Sequence, residues 1–425
     1  MIYFDNAATG GFKPESVRKA AAEAIEFPAN PGRSAHPRAV AAMMTVLDAR
    51  ERAADFFGSG YPEGVIFTKN CTEALNLALF GTLGHPDSAV RKPPADESGA
   101  RTASSLSMEK YGALKEAKAG PPHVVSSVLE HNSVLRPLFA LEDAGMIRLS
   151  LAEPDERGNL TLKRIRPLIT RATTHVVLTA LSNLTGGKSE LKEIGTFCRA
   201  NRLLFVVDGA QAGGHLPLDM KAQCIDILAL AGHKGLLAPT GCGALLLSPG
   251  VTVRPLLYGG TGVESNRLDQ PPMLPEGLES GTVNLAAVAG LNEGLKYLQE
   301  HRSRMQENLI RLTERLWFGL KKLPDVRLYS RPNSAGIVSF AVSGLSSDQV
   351  ADRLGSTYHV AVRSGLHCAP LAHRYLGTLE NGLVRASLSA FNTESEVDYF
   401  LRCIGELSLP SAEPNAHDKK TAPIR

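Results

Sequence analysis

No apolar run in this sequence approaches the roughly 20 residues that a membrane-spanning helix needs, so no membrane partner is expected. Charge of one sign is not in excess either. The 46 Lys+Arg face 43 Asp+Glu, a formal net charge of +3. That balance gives no electrostatic case for nucleic acid as a partner. The opening Met1-Ile2-Tyr3-Phe4-Asp5-Asn6 lacks a basic n-region and an apolar h-region, and no signal peptide is expected. Cysteines are few and scattered. The six, Cys71, Cys198, Cys224, Cys242, Cys368 and Cys403, include no Cys-x-x-Cys pair. That pattern argues against a disulfide framework and against a structural zinc site, so no metal is expected. Together these absences imply a reducing, cytoplasmic setting.

What is present fits an ordinary globular chain. Hydrophobic residues make up 43% and charged residues 21% of 425, room for about two domains at roughly 150 residues each. The 39 glycines imply many tight turns or close backbone approaches. Near-continuous apolar runs at 64–68, 123–127, 175–180, 203–207, 225–230 and 244–247 are separated by helical stretches such as 72–79. Such runs predict strands buried on both faces, hence an α/β fold with a mostly parallel sheet. After Asn284 the pattern changes. Met305, Leu309, Leu312, Leu316 and Leu320 are spaced four, three, four and four apart, an amphipathic helix. Strands at 336–340 and 359–362 and a closing helix at about 394–407 predict a second, smaller α+β domain. Residues 85–122 carry Pro86, Pro93, Pro94, Pro121 and Pro122 and are expected to be a disordered insertion. Within it 108–119 is at most a short helix without an apolar stripe. The polar tail 409–425 is expected to be unfolded.

The polar residues that follow the strands carry the chemistry. Asn183, Asp208 and Lys234 stand just past the carboxyl ends of predicted strands, the edge where open α/β sheets bind ligands. Lys234, after a buried strand and before the Gly-rich 240–243 stretch, is a candidate Schiff-base former. Asp208, after five apolar residues, fits either a helix N-cap or a partner for the pyridinium nitrogen of pyridoxal 5'-phosphate (PLP). Gln211 follows one helical step later, in reach of that ring's phenolic oxygen. The turn 68–73 leads a strand into a helix, whose free N–H groups attract anions; an ordinary capped helix fits it too. Cys71 in that turn reads as a turn residue and not as a nucleophile. His131 follows a strand, where a flat ring can stack on a cofactor and move protons. In Arg363-Ser364-Gly365-Leu366-His367-Cys368 a cysteine sits in a Gly-containing loop among basic residues, a candidate reactive thiol. The other cysteines have apolar or helical surroundings and read as inert. Arg385, in a strand-like run, fits a surface ion pair or a fork for a substrate carboxylate.

In combination these motifs resemble a known family. Tyr3 to Thr9, Asn30-Pro31-Gly32-Arg33, Glu130-His131-Asn132-Ser133, Val207-Asp208-Gly209-Ala210-Gln211, Gly232-His233-Lys234, Gly281-Thr282-Val283-Asn284 and Arg363 to Cys368 stand in the order found in class V aminotransferase-fold PLP enzymes. Within that family they resemble the cysteine desulfurase and selenocysteine lyase group, over about residues 1–84 and 123–408. The resemblance implies the PLP-transferase fold type I, α/β, with a seven-stranded large-domain sheet and a smaller C-terminal domain. It implies an N-terminal segment 1–15 packed with the small domain, a large PLP-binding domain at 16–284 and a small domain at 285–408.

It also implies roles. Lys234 would hold PLP, Asp208 and Gln211 would contact its ring, and His131 would stack on it. Thr72, the adjacent Cys71 backbone and His233 would hold the phosphate. Thr282 would reach the phosphate of a partner subunit, which implies a homodimer. Asn183, Arg385 and Arg363 would hold the substrate, and Cys368 would take its sulfur as a persulfide, possession of which implies a sulfur-acceptor protein. The expected activity is desulfuration of L-cysteine to L-alanine. Selenocysteine lyase, aminotransferase, epimerase and β-lyase chemistry stay open, as does a non-catalytic PLP-binding scaffold. Three stretches depart from the family pattern: Ala231 replaces a common hydroxyl residue, 85–122 interrupts a short connection, and 184–188 varies an Asn-x-Thr-Gly-Thr stretch.

Overall fold

The computed structural model describes residues 1–32, 34–84 and 120–408. The expected insertion at 85–122 therefore lies outside the described residues except for 120–122, as do the 108–119 helix and the 409–425 tail. The strands in chain order are β1 Ile2–Tyr3, β2 Val65–Thr68, β3 His123–Ser127, β4 Arg148–Ala152, β5 Thr173–Thr179, β6 Leu204–Asp208, β7 Ile227–Ala231, β8 Gly243–Leu247, β9 Val326–Leu328, β10 Ile337–Val342, β11 Val360–Ala361 and β12 Val384–Ser387.

Seven of them form one sheet in the order β2-β8-β7-β6-β5-β3-β4. The pairs from β7 to β4 are parallel, while β8 runs against both β7 and β2. Side chains alternate between two cores, as a period of two requires. Val176, Leu178, Phe205, Val207, Leu228 and Leu230 enter the core on one face. Val177, Leu204, Val206, Ile227 and Ala229 enter the core on the other. Both faces are covered, which is why these strands read as unbroken apolar runs.

Two features were not visible in that reading. The edge strand β4 is only partly buried, and its Arg-Leu-Ser-Leu-Ala run carries too little apolar continuity to register. The direction of β8 is a matter of connection, which a burial pattern does not encode.

The smaller sheet has the antiparallel order β12-β10-β9. Beside it β1 pairs in parallel with β11 through Ile2↔Val360 and Tyr3↔Ala361. The 359–362 strand is thus only two residues long, and after Phe4 N donates to Ala361 O at 2.9 Å the N-terminal segment passes to Ser387 at Asp5. Phe4 is fully buried in the core of this sheet. The helix Leu285–Lys321 joins the two cores. Its Asn284 cap accepts a hydrogen bond from Ala287 N at 3.2 Å. Leu291, Leu295 and Leu298 enter the large core, and Leu309, Leu312, Leu316 and Leu320 enter the small one. The predicted spacing is the second half of this helix. The closing helix is Glu394–Ser408.

Candidate active site

Every residue nominated from the sequence, except Thr282, lines one cavity of about 210 Å³ at the carboxyl ends of the central strands. Asp208 is the last residue of β6, level with Thr179 at the end of β5. Lys234 follows β7 by one turn. The floor of the cavity is therefore set by strand register.

Asp208 is buried. Its Oδ1 accepts from Ala210 N at 2.9 Å and from Cys71 Sγ at 3.6 Å. Burial raises its carboxyl above the usual range, and the Ala210 N–H, the Lys234 charge and the Cys71 thiol act against that. Burial likewise lowers Lys234, with Asp208 opposing. The amine is thereby biased toward its free base, the form that can form a covalent adduct or take a proton. Cys71 is pushed well up, by burial first and by Asp208 second. It remains a thiol that donates to Asp208, and its side chain contacts that carboxylate.

The helix Cys71–Leu83 opens beside these groups. Its cap Asn70 accepts from Glu73 N at 2.9 Å, leaving earlier N–H groups at the cavity. Gly243 lets β8 pass against this turn, since a Cβ there would lie 2.5 Å from the Asn70 carbonyl carbon. Thr72 Oγ1 lies 2.8 Å from Ser133 Oγ, which lies 2.9 Å from His131 Nδ1. His131 caps the helix Asn132–Asp143, its Nδ1 accepting from Ser133 N at 3.1 Å. Burial, then the Lys234 charge, pushes the His131 imidazole down to about 4. His233 is also down to about 4 for the same two reasons, with Nδ1 3.0 Å from Thr9 Oγ1. Both rings are neutral near pH 7. Gln211 Nε2 donates to the Ala7 carbonyl at 2.9 Å, so one amide hydrogen is engaged with the N-terminal segment. Ala231 ends β7 and lines the cavity without a polar atom.

The opposite wall comes from the small sheet and its loop. His367 and Cys368 have φ of 51° and 55°, a left-handed conformation that costs a non-glycine residue free energy. Two hydrogen bonds from the large-sheet side hold it. Asn132 N donates to Cys368 O at 2.7 Å, and Asn183 Nδ2 donates to His367 O at 2.7 Å. Cys368 is half-buried. Burial, then Arg385, pushes His367 down to about 3, so His367 is neutral and the cation that interacts with Cys368 is Arg385. Arg385 is 2% exposed. It donates to Asn183 O at 3.0 Å and to Asp5 Oδ1 at 3.1 Å, while its Nε has no partner. The ion-pair alternative is thus present, but it is buried and at the cavity wall.

Thr282 lies apart, in a second cavity of about 290 Å³ with Lys69, Gly241 and Asn284. Sequence reasoning left three cavity neighbours without a role. Ser133 and Glu130 flank His131 in a motif that was noticed, and Asp5 stands in the opening motif. Their partners are distant in sequence or decided by packing.

The donor set fits PLP. A buried carboxylate, a buried amine of lowered basicity, a neutral imidazole and a helix N-terminus answer the ring nitrogen, the aldehyde, the ring face and the phosphate respectively.

A model of the aminotransferase class-V family matches residues 2–92 and 98–400. A probable cysteine desulfurase of Pyrococcus abyssi is 33% identical, with 97% of this chain and 96% of that protein covered. One from Methanothermobacter thermautotrophicus is 30% identical over 96% of this chain and 94% of that protein. The apo structure of a cysteine desulfurase from Thermococcus onnurineus NA1 superposes with a TM-score of 0.82 at 32% identity, covering 96% and 94% of the two chains. The cysteine desulfurase CsdA of Escherichia coli, as its S-sulfonic acid, gives 0.79 at 25% identity, covering 95% and 94%. The fold is that of the PLP-dependent type I enzymes, and the chain belongs to the class-V aminotransferase family, alongside its cysteine desulfurases.

Proposed function

We propose that this protein is a PLP-dependent cysteine desulfurase, converting L-cysteine to L-alanine and leaving the sulfur on Cys368. The observation that carries the reading is the convergence of Lys234, Asp208, Arg385 and Cys368 on one cavity. Lys234, Asp208, Gln211, His131, His233, Thr72 and the Cys71 backbone would hold PLP. When bound, PLP supplies an electron sink for negative charge at the substrate Cα.

The chain's own groups do the rest. Arg385, with Arg363 and Asn183 beside it in the cavity lining, would hold the substrate carboxylate. The free-base amine of Lys234 removes the Cα proton. Neutral His131 gives the ring a flat neighbour without adding a cation. The Cys368 thiolate attacks the substrate sulfur. A sulfur–sulfur bond forms, the carbon–sulfur bond breaks, Cβ keeps its electron pair and takes a proton, and the Lys234 ammonium returns a proton to Cα to complete L-alanine. The two hydrogen bonds on the 367–368 backbone keep the thiol at the cavity mouth.

The partner is inferred to be a second copy of the chain. Val40, Met43, Met44 and Leu47 leave one helix face exposed, and Leu256, Leu257 and Tyr258 are exposed as well, an apolar area that favours a protein interface. Thr282, outside its own subunit's cavity, would serve the partner's phosphate site. The half-buried Cys368 persulfide would pass to a sulfur-acceptor protein. A working Cys368 thiol and five further free cysteines favour the reducing cytoplasm. The proposed division is 1–15, 16–284 and 285–408, with the first half of the helix Leu285–Lys321 packed into the large core.

The test is to count products. With PLP, L-cysteine and a thiol reductant, alanine and sulfide are expected in equal amounts. Cys368→Ala is expected to lose both while keeping the visible absorbance of bound PLP. Sulfide with pyruvate and ammonia would instead identify a β-lyase.

A further inference from the structure

Arg385 has a resident counter-ion. Its NH2 reaches Asp5 Oδ1 at 3.1 Å, its NH1 reaches the Asn183 carbonyl, and its Nε is unpartnered. Asp5 cannot easily drift from this position, because its backbone is fastened independently. It bridges Ser387 in β12, and its neighbours follow: Asn6 N donates to Ser387 O at 3.2 Å, and Ala7 N to Ser387 Oγ at 2.9 Å. A second guanidinium stands close by, since Arg363 and Arg385 exchange backbone hydrogen bonds of 3.2 and 2.7 Å. Burial of Arg385 disfavours its charge, Arg363 adds to that, and Asp5 opposes both. The wall therefore holds two cations and one fixed carboxylate. One more carboxylate would balance it, and it must share Arg385 with Asp5.

We propose that Asp5 is a positioning residue that sets amino-acid affinity: it holds the Arg385 guanidinium aimed at the cavity, and its negative charge weakens the hold of Arg385 on the substrate and product carboxylates. This rests on the reading of Arg385 as the carboxylate site. Like charges sharing one guanidinium repel, so Asp5 favours release of alanine. The segment that carries it also ends on the cofactor side. Gln211 donates to Ala7 O, and Gly10 N and Lys13 Nζ both donate to the His233 carbonyl, at 3.0 and 2.7 Å. The position of Asp5 is therefore tied to both walls.

The experiment uses the full-length PLP-loaded protein and its Asp5→Asn, Asp5→Glu and Arg385→Lys variants. KM for L-cysteine, kcat and the inhibition constant of L-alanine are measured together. Asp5→Asn is expected to lower KM and the alanine constant in parallel, by roughly three- to tenfold, without raising kcat. Asp5→Glu is expected to restore wild-type values, and Arg385→Lys to raise both constants. An Asp5→Asn variant with unchanged or raised constants, beside a raised Arg385→Lys, overturns the role of Asp5 and leaves Arg385 as the carboxylate site. Constants unchanged in Arg385→Lys overturn the underlying reading, and the Asp5 proposal with it. A purely supportive residue would lose bound PLP or raise KM, not lower it. Asp5→Ser gives the same comparison should Asp5→Asn not fold.

Discussion

The cavity has two walls built by different physics. The cofactor wall, with Asp208, Lys234 and the opening of helix Cys71–Leu83, hangs on the ends of buried strands whose register is set by two apolar cores. The sulfur wall, with Cys368, His367 and Arg385, comes from a three-stranded sheet and a left-handed loop. The first wall is fixed by hydrophobic contacts spread over two close-packed cores. Where it meets the first, the second is fixed by a few hydrogen bonds, from Asn132 and Asn183 to the loop and from Arg385 to the Asn183 carbonyl and the Asp5 carboxylate. The groups proposed to hold the cofactor are thus set by core packing, while the residue proposed to take the sulfur depends on a handful of polar contacts.

Substitutions can separate the walls. The largest effect is expected for Lys234→Ala. It should abolish the covalent PLP absorbance and cut turnover by at least about 10³-fold, the range for losing a positioned proton-transfer group. Retained absorbance and turnover would break the assignment of Lys234 to the cofactor wall. An intermediate effect is expected for Asn183→Ala, which removes the donor to His367 O. The loop should loosen by about 1 kcal/mol, the net worth of one hydrogen bond. Labelling of Cys368 by an alkylating agent should speed up while PLP absorbance stays unchanged. A change in absorbance instead would mean the walls are not separable at this residue.

The smallest effect concerns Glu130, fully buried behind His131 and accepting from the Ser127 hydroxyl. Burial raises its carboxyl from 4.5 to about 8, with Ser127 and the Thr179 backbone opposing. A raised folded-state value means that the folded protein holds this proton more tightly than the unfolded chain. Its contribution to stability is therefore full below about pH 4.5 and is lost as pH rises through about 8. Glu130→Gln cannot ionise. Its melting temperature should gain on the wild type between pH 5 and 8, read from paired thermal melts. A constant difference over that range would mean Glu130 is not held protonated.

Much of this was legible before any coordinates. Asp208 and Lys234 were legible because each is a polar residue that follows a buried apolar run, at the edge where open α/β sheets bind ligands. The helix across 305–320 was legible from its spacing, but its other half, 285–304, was not. There Leu291, Leu295 and Leu298 share the buried face with Ala287, Gly290 and Gly294, and a Cβ on Gly294 would lie 2.3 Å from Leu236 O, so small residues at close approaches interrupt the leucine stripe. His367 read as a charged neighbour of Cys368 because residue type does not report burial, and burial made it neutral. Arg385 left an ion pair and a carboxylate fork open, and the partner that bears on the choice, Asp5, is 380 residues away.

The sequence by itself determined the elements and the chemical inventory, because burial periodicity and residue type are local properties of the chain. Only the tertiary structure decided which groups carry charge, where β8 turns back, and that the N-terminal segment closes the site. Charge state depends on the dielectric and on partners brought from far along the chain, and neither exists until the cores have formed.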